Sequence, residues 1–286
     1  MDRALADALG AALGSTVIST ARVHGGDVAV AYRVDLADGR RVFAKTHAAP
    51  PPDFFSTEAA SLAWLREAHT VPVPQVLAMS DLAPAHLVLE WVDRGEPDAT
   101  TDERFGRALA GLHLAGAHCF GRDDRRTTGS RGLPNEPCTT WAEFYASNRL
   151  LPLARLARAE RALPDPTVAA LERLAHHLDR FDDGAPPSRL HGDLWAGNRM
   201  TDRTGTSWIV DPAAHGGHRE FDLAMMRLFG GFSDACFAAY DEVHPLRDGW
   251  RDRVALHQIA PLVVHAIKFG GGYVRSAAVA IAATTG

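Results

Sequence analysis

Asp193 and Asn198 stand five residues apart in the run Leu190-His191-Gly192-Asp193-Leu194-Trp195-Ala196-Gly197-Asn198. Asp211 follows thirteen residues after Asn198, closing the apolar stretch Trp208-Ile209-Val210. This is the spacing of a phosphoryl-transfer catalytic loop, which aims one carboxylate at an acceptor hydroxyl and one amide oxygen at a metal. An acid directly after a buried strand supplies the second metal ligand. One Asp and one Asn suffice for Mg²⁺, which takes few carboxylates and completes its shell with phosphate oxygens. Asp193 is therefore the candidate base, and Asn198 and Asp211 are the candidate metal ligands. His-Gly-Asp alone would equally describe a turn with an exposed acid; the register of all three residues carries the reading.

The groups such a site needs upstream occur in the expected order. Lys45 ends Val42-Phe43-Ala44-Lys45, apolar strand residues followed by a lysine of the kind that meets the α- and β-phosphates. The chain has only two lysines, Lys45 and Lys268, against 28 arginines. In so arginine-rich a chain, a lysine at this position points to a requirement for a compact ammonium. Glu58, thirteen residues on, can pair with it, although an acid in a first helical turn also has a dipole rationale. His24-Gly25-Gly26-Asp27 lies between two strands, where a loop covering phosphates belongs. Gly25 and Gly26 are candidates by position, since a Gly-Gly pair is most often just a tight turn.

The elements that must hold these residues divide the chain in two. Strand patterns cover 16–23, 28–36, 41–46, 75–79 and 86–91, with a helix over 55–69 between the third and fourth. Residues 2–14 read as a short amphipathic helix. Beyond residue 93 the periodicity turns helical, over 101–118, 141–150, 167–181, 220–229, 233–243 and 249–273. A strand-like island at 188–211 interrupts it, and 122–137 reads as an exposed loop. The outline is α+β and bilobal, with a small β-rich lobe over 1–92 and a larger helical lobe over 93–286.

Composition narrows the function further. The 286 residues carry 30 basic and 35 acidic side chains, a net charge of -5, which argues against a nucleic-acid partner. Three cysteines without CxxC spacing exclude a disulfide framework and a cysteine zinc site. No basic leader precedes an apolar block and no apolar run approaches membrane-spanning length, so the expected location is cytoplasmic and the expected partner a small molecule. Neither His-Glu-x-x-His, nor Gly-x-Ser-x-Gly, nor a Gly-x₄-Gly-Lys-Ser/Thr loop occurs.

From about His24 to Arg275 the chain resembles the fructosamine kinase (ketosamine-3-kinase) family, within the aminoglycoside phosphotransferase and choline kinase-like fold. The resemblance rests on His191-Gly192-Asp193-Leu194-Trp195-Ala196-Gly197-Asn198, Asp211-Pro212-Ala213, Gly217-His218-Arg219-Glu220-Phe221-Asp222-Leu223-Ala224, Leu228-Phe229-Gly230-Gly231-Phe232 and Phe269-Gly270-Gly271-Gly272-Tyr273. Antibiotic kinases of this fold usually have His-Pro where Trp195 stands. The resemblance implies a protein-kinase-like fold with ATP between the lobes, adenine on the backbone from Glu90 to Val92, and Asp222 bracing the catalytic loop. It places Trp195, His215, His218 and Glu220 toward the acceptor, with a satisfied role in the core an equal alternative for His215, His218 and Glu220. It implies an ATP- and Mg²⁺-dependent kinase for the 3-hydroxyl of ketoamines, free or protein-bound. The alternatives are an aminoglycoside or other hydroxyl kinase, and a silent nucleotide-binding module. Two departures stand out: His215-Gly216 replaces the Tyr-Tyr common in the family, and Asp27 and Val28 stand where some relatives carry a cysteine.

Overall fold

The computed structural model describes residues 1–23, 29–129 and 132–285. The chain begins with α1 (Arg3–Leu13), whose first turn is capped by the Asp2 carboxylate accepting from the Leu5 amide at 2.8 Å. Then come β1 (Val17–Val23), β2 (Val30–Leu36), β3 (Arg41–Thr46), α2 (Phe54–Arg66), β4 (Val76–Ser80) and β5 (His86–Glu90). The strands form one antiparallel sheet in the order β1-β2-β3-β5-β4. Side chains alternate across it, as the two-residue period of a strand requires. Val42 and Ala44 of β3 pack with Leu5 and Leu9 of α1, whereas Phe43 packs with Phe55, Leu62 and Leu65 of α2. Lys45 shares the parity of Phe43, so the same alternation turns it toward α2. The N-terminus of α2 is capped from a distance: Asp81, beyond β4, accepts from the Phe55 amide at 2.8 Å.

The larger part is helical. In chain order it comprises α3 (Thr101–Leu114), β6 (Thr127–Thr128), β7 (Leu133–Pro134), α4 (Trp141–Tyr145), α5 (Leu151–Ala159) and α6 (Asp165–Ala175). Next come the short strands β8 (Ser188–Leu190), β9 (Arg199–Thr201), β10 (Ser207–Ile209) and β11 (His215–Gly217), then α7 (Glu220–Phe229), α8 (Asp234–Val243), α9 (Trp250–Phe269) and α10 (Gly272–Thr285). β8 pairs antiparallel with β11, and β9 with β10. The expected α+β outline, a β-rich part followed by a larger helical one, is the one observed. A single apolar cluster runs from Phe55, Leu62 and Leu65 of α2 through Leu194 and Ile209 to Phe105 of α3 and Tyr240 of α8. Leu194, beside the candidate base, is thus fixed in the core.

Several boundaries differ from the sequence reading. The helix expected over 249–273 is two helices, because Gly270 and Gly271 take positive φ (64° and 56°) and break it. The helix begun at Trp141 passes through a π turn (Ala146–Leu150) into α5, which periodicity did not register. The stretch 122–137 is exposed over much of its described length, as expected, but it also holds the short β6–β7 ribbon, and Arg122, Thr128 and Asn135 within it are buried.

The packing leaves two measurable marks. Gly106 of α3 lies so close to α8 that a Cβ there would stand 2.1 Å from the Cys236 carbonyl oxygen. Gly106→Ala should therefore cost about 1–3 kcal/mol, the usual penalty for overpacking, seen as a lower Tm at unchanged secondary structure. The core also holds histidines in their neutral form. Burial lowers the pKa of His215 to about 3 and that of His257 to about 4. Because the unfolded chain binds these protons first, the stability they contribute is complete above pH 6.5. It is lost as the pH falls toward 4, by about 1.4 kcal/mol per pH unit for each histidine. Tm measured from pH 7 down to pH 4 should fall, and the His257→Gln variant should show a shallower slope.

Candidate active site

The site forms where β3 and α2 meet the loops that follow β8 and β10. Lys45 Nζ donates to Glu58 Oε1 at 2.8 Å and contacts Asp211 Oδ1 on its other side. One ammonium therefore joins the sheet, α2 and the loop after β10. Burial works against the charged lysine, yet the Glu58 and Asp211 carboxylates carry its pKa above the ordinary value. Burial also pushes Glu58 up. It works against Asp211 as well, but Lys45 overcomes it and holds that carboxyl below its usual range.

The loop after β8 is shaped by backbone geometry and two buried side chains. Gly192 has φ +80°, and a Cβ on it would lie 2.1 Å from the Ala213 carbonyl oxygen, so this position admits only glycine. Asp222, fully buried at the start of α7, accepts from the His191 amide at 2.8 Å and the Gly192 amide at 2.9 Å. The brace implied by the sequence resemblance is thus present as hydrogen bonds. His191 adds a second tie: its Nδ1 accepts from the Asp193 amide at 3.2 Å, which leaves Nε2–H to donate to the Val210 carbonyl at 3.0 Å. One imidazole thereby links the backbone of Asp193 to the residue before Asp211. His191 is legible in the sequence only as part of His-Gly-Asp, and nothing there signals the contact to Val210.

Asn198 completes the group. Its Nδ2 donates to the Asp193 carbonyl at 2.9 Å and to Asp193 Oδ2 at 3.1 Å, which turns the amide oxygen away from the base. Asp211 adopts the left-handed backbone region with φ +56°, a conformation that costs a residue with a side chain and that concentrates at functional sites. The amide oxygen of Asn198 and the carboxylate of Asp211 are hard oxygen donors, a set that suits Mg²⁺. Burial raises the Asp193 pKa to about 7, against the pull of its Asn198 hydrogen bond and with the help of Asp211 and Asp222.

Contacts thus bring Lys45, Glu58, Asp193, Asn198 and Asp211 together. Glu90 ends β5, where its carboxylate accepts from the Gln75 amide at 2.7 Å and lies 3.2 Å from Arg66. Val92 follows in the irregular stretch between β5 and α3. Gly25 and Gly26 lie outside the described residues. Trp195 is 41% exposed beside the loop, edge-on to Phe229, and its indole covers Gly197, where a Cβ would clash with the ring. The remaining acceptor candidates are buried and paired. His215 bonds the Ala213 carbonyl through Nδ1 and stacks on Phe144. His218 meets Asp183 at 3.3 Å, and both oxygens of Glu220 are held by Arg253 at 2.6 and 2.8 Å.

Comparison with known proteins agrees with this geometry. A family model described as fructosamine kinase matches residues 1–285. A protein of Synechocystis sp. carrying the name "Probable ketoamine kinase" is 35% identical over 246 residues, spanning 85% of this chain and 82% of the relative. The chloroplastic protein-ribulosamine 3-kinase of Arabidopsis thaliana is 32% identical over 251 residues, 85% of this chain and 76% of its own length. A solved structure from Thermobifida fusca, named for fructosamine-3-kinase, superposes with a TM-score of 0.91 at 39% identity and covers 99% of both chains. The fold is protein-kinase-like. With the family model matched over residues 1–285 and relatives of 32–39% identity covering most of its length, the chain belongs to the fructosamine kinase family of ATP-dependent phosphotransferases.

Proposed function

We propose that this enzyme uses ATP and Mg²⁺ to phosphorylate the 3-hydroxyl of a ketoamine, the adduct of a sugar with an amine, and that it serves deglycation repair. The observation that carries the reading is the convergence of Lys45, Asp193, Asn198 and Asp211 through direct contacts. A silent nucleotide-binding module has no need for a buried base beside two metal-ligating groups. The Arabidopsis relative's name supports a ribulosamine as acceptor. The location that goes with this reading is the cytoplasm; none of the described helices is long and apolar enough to cross a membrane.

Each group has a distinct task. The lysine, held by Glu58, meets the α- and β-phosphates, and the loop with Gly25 and Gly26 covers them. The backbone from Glu90 to Val92, between the 1–92 and 93–286 lobes, receives adenine. Asn198 and Asp211 would hold Mg²⁺, which when bound neutralises charge on the phosphates. Asp193 accepts the proton of the acceptor hydroxyl while that oxygen bonds the γ-phosphorus and ADP departs. Trp195 presents its exposed ring to the acceptor. His215, His218 and Glu220 shape the wall behind it from within the core rather than by touching the sugar.

Two experiments test this reading. Asp193→Asn should keep MgATP binding but lower kcat by roughly 10²–10⁴, the size of a general-base contribution, whereas kcat near wild type removes the base. Comparing kcat/KM for ribulose-lysine, fructose-lysine and kanamycin should place ribulose-lysine first. A site built to hydrogen-bond one set of hydroxyls leaves its own groups unpaired with a mismatched acceptor, so the margin should be large. Kanamycin in first place would replace the deglycation reading with an aminoglycoside kinase.

A further inference from the structure

The indole of Trp64, on α2, is gripped by two arginines from the other part of the molecule. The guanidinium carbon of Arg122 lies 4.3 Å from the ring centre and that of Arg189 lies 4.5 Å from it. Both arginines are themselves fixed. Arg189 is the middle residue of β8, four residues before Asp193, and its side chain also donates to the carbonyl oxygens of Trp64 and Gly116 and meets Glu67 of the same helix end at 3.6 Å. Arg122 is held by Asp124 through two hydrogen bonds, at 2.6 and 2.7 Å. It follows Gly121, whose amide and carbonyl both pair with Gly216 of β11, at 2.8 and 2.9 Å. Trp64 is therefore gripped from β8, which leads into the loop of Asp193, and from the segment paired with β11, which follows Asp211.

We infer that Trp64 is a positioning residue: through it, β8 and the segment paired with β11 hold α2 where Glu58 meets Lys45. Glu58 and Trp64 are six residues apart, roughly 120° around the helix, so one helix faces Lys45 and the arginines at once. Planar guanidinium groups stack on an indole face, which a lysine ammonium does not reproduce. Burial lowers the pKa of Arg189, and the neighbouring Arg122 adds to that effect, so the pair stands together at a cost that a purely space-filling contact would not require. The inference rests on Lys45 and Glu58 as nucleotide-binding groups and does not depend on the identity of the acceptor.

The test is a double-mutant cycle in the full chain, read by the equilibrium Kd of MgATP and by kcat. Trp64→Leu should weaken MgATP binding about tenfold and lower kcat, with the KM of the acceptor within about twofold. Trp64→Phe, which keeps an aromatic face, should restore most of both. In a Glu58→Gln background the same Trp64→Leu change should cost less than about twofold, because the coupling it transmits is already cut. Unchanged MgATP affinity in Trp64→Leu, equal losses in the two backgrounds, or no difference between Leu and Phe would overturn the inference. Should Trp64→Leu fail to fold, Arg189→Lys, which keeps the charge and loses the stack, enters the cycle under the same criteria. A protein that shows this coupling in MgATP binding but turns over no ketoamine would refute the substrate reading alone.

Discussion

The rest of the molecule is arranged around one partly hidden ammonium. Lys45 contacts carboxylates from two different parts of the chain, Glu58 on α2 and Asp211 after β10. An unpaired charge in such surroundings is costly, whereas a charge between two carboxylates is retained and ties together the elements that carry them. Sheet alternation turns the lysine toward α2, the apolar face of α2 fixes the helix height, and the short strands deliver Asp211. Displacing any of these would leave a buried charge without a partner.

Around the base, strain and satisfaction alternate. Gly192 and Asp211 occupy left-handed backbone, and Ala213 crowds so close to Gly192 that no side chain fits there. The neighbouring backbone groups are saturated by Asp222 and His191. A loop that is fully bonded behind and sterically tight in front does not reorganise when substrate arrives. This is the pre-organisation that phosphoryl transfer asks of a protein, since little covalent chemistry is left for it to do.

The residues that meet at Lys45 were legible in the sequence because their spacing reflects short local structures: a strand parity, one helical turn, a tight loop. Asp222 could be named through the family resemblance. Legibility failed where the cause is tertiary. The surroundings of His215, His218 and Glu220 could not be read from their position after Asp211: β11 returns to pair with β8 and carries His215 inward, while Arg253 from α9 pairs with Glu220. Within the polar stretch 122–137, Arg122, Thr128 and Asn135 are buried, and the backbone pairing of Arg122 with Asn135 and of Asn135 with Arg126 has no signature in composition. The grip on Trp64 has no local signature at all, since its partners lie 58 and 125 positions further along the chain.

The scarcity of lysine has a chemical corollary. A reducing sugar condenses with an amine only when the nitrogen is unprotonated, and guanidinium groups do not form the Schiff base that begins glycation. Of the two lysines in this chain, Lys45 is kept charged and enclosed between carboxylates, which withholds its lone pair from any carbonyl. A chain with so few lysines thereby offers few side-chain amines on which sugar adducts could form.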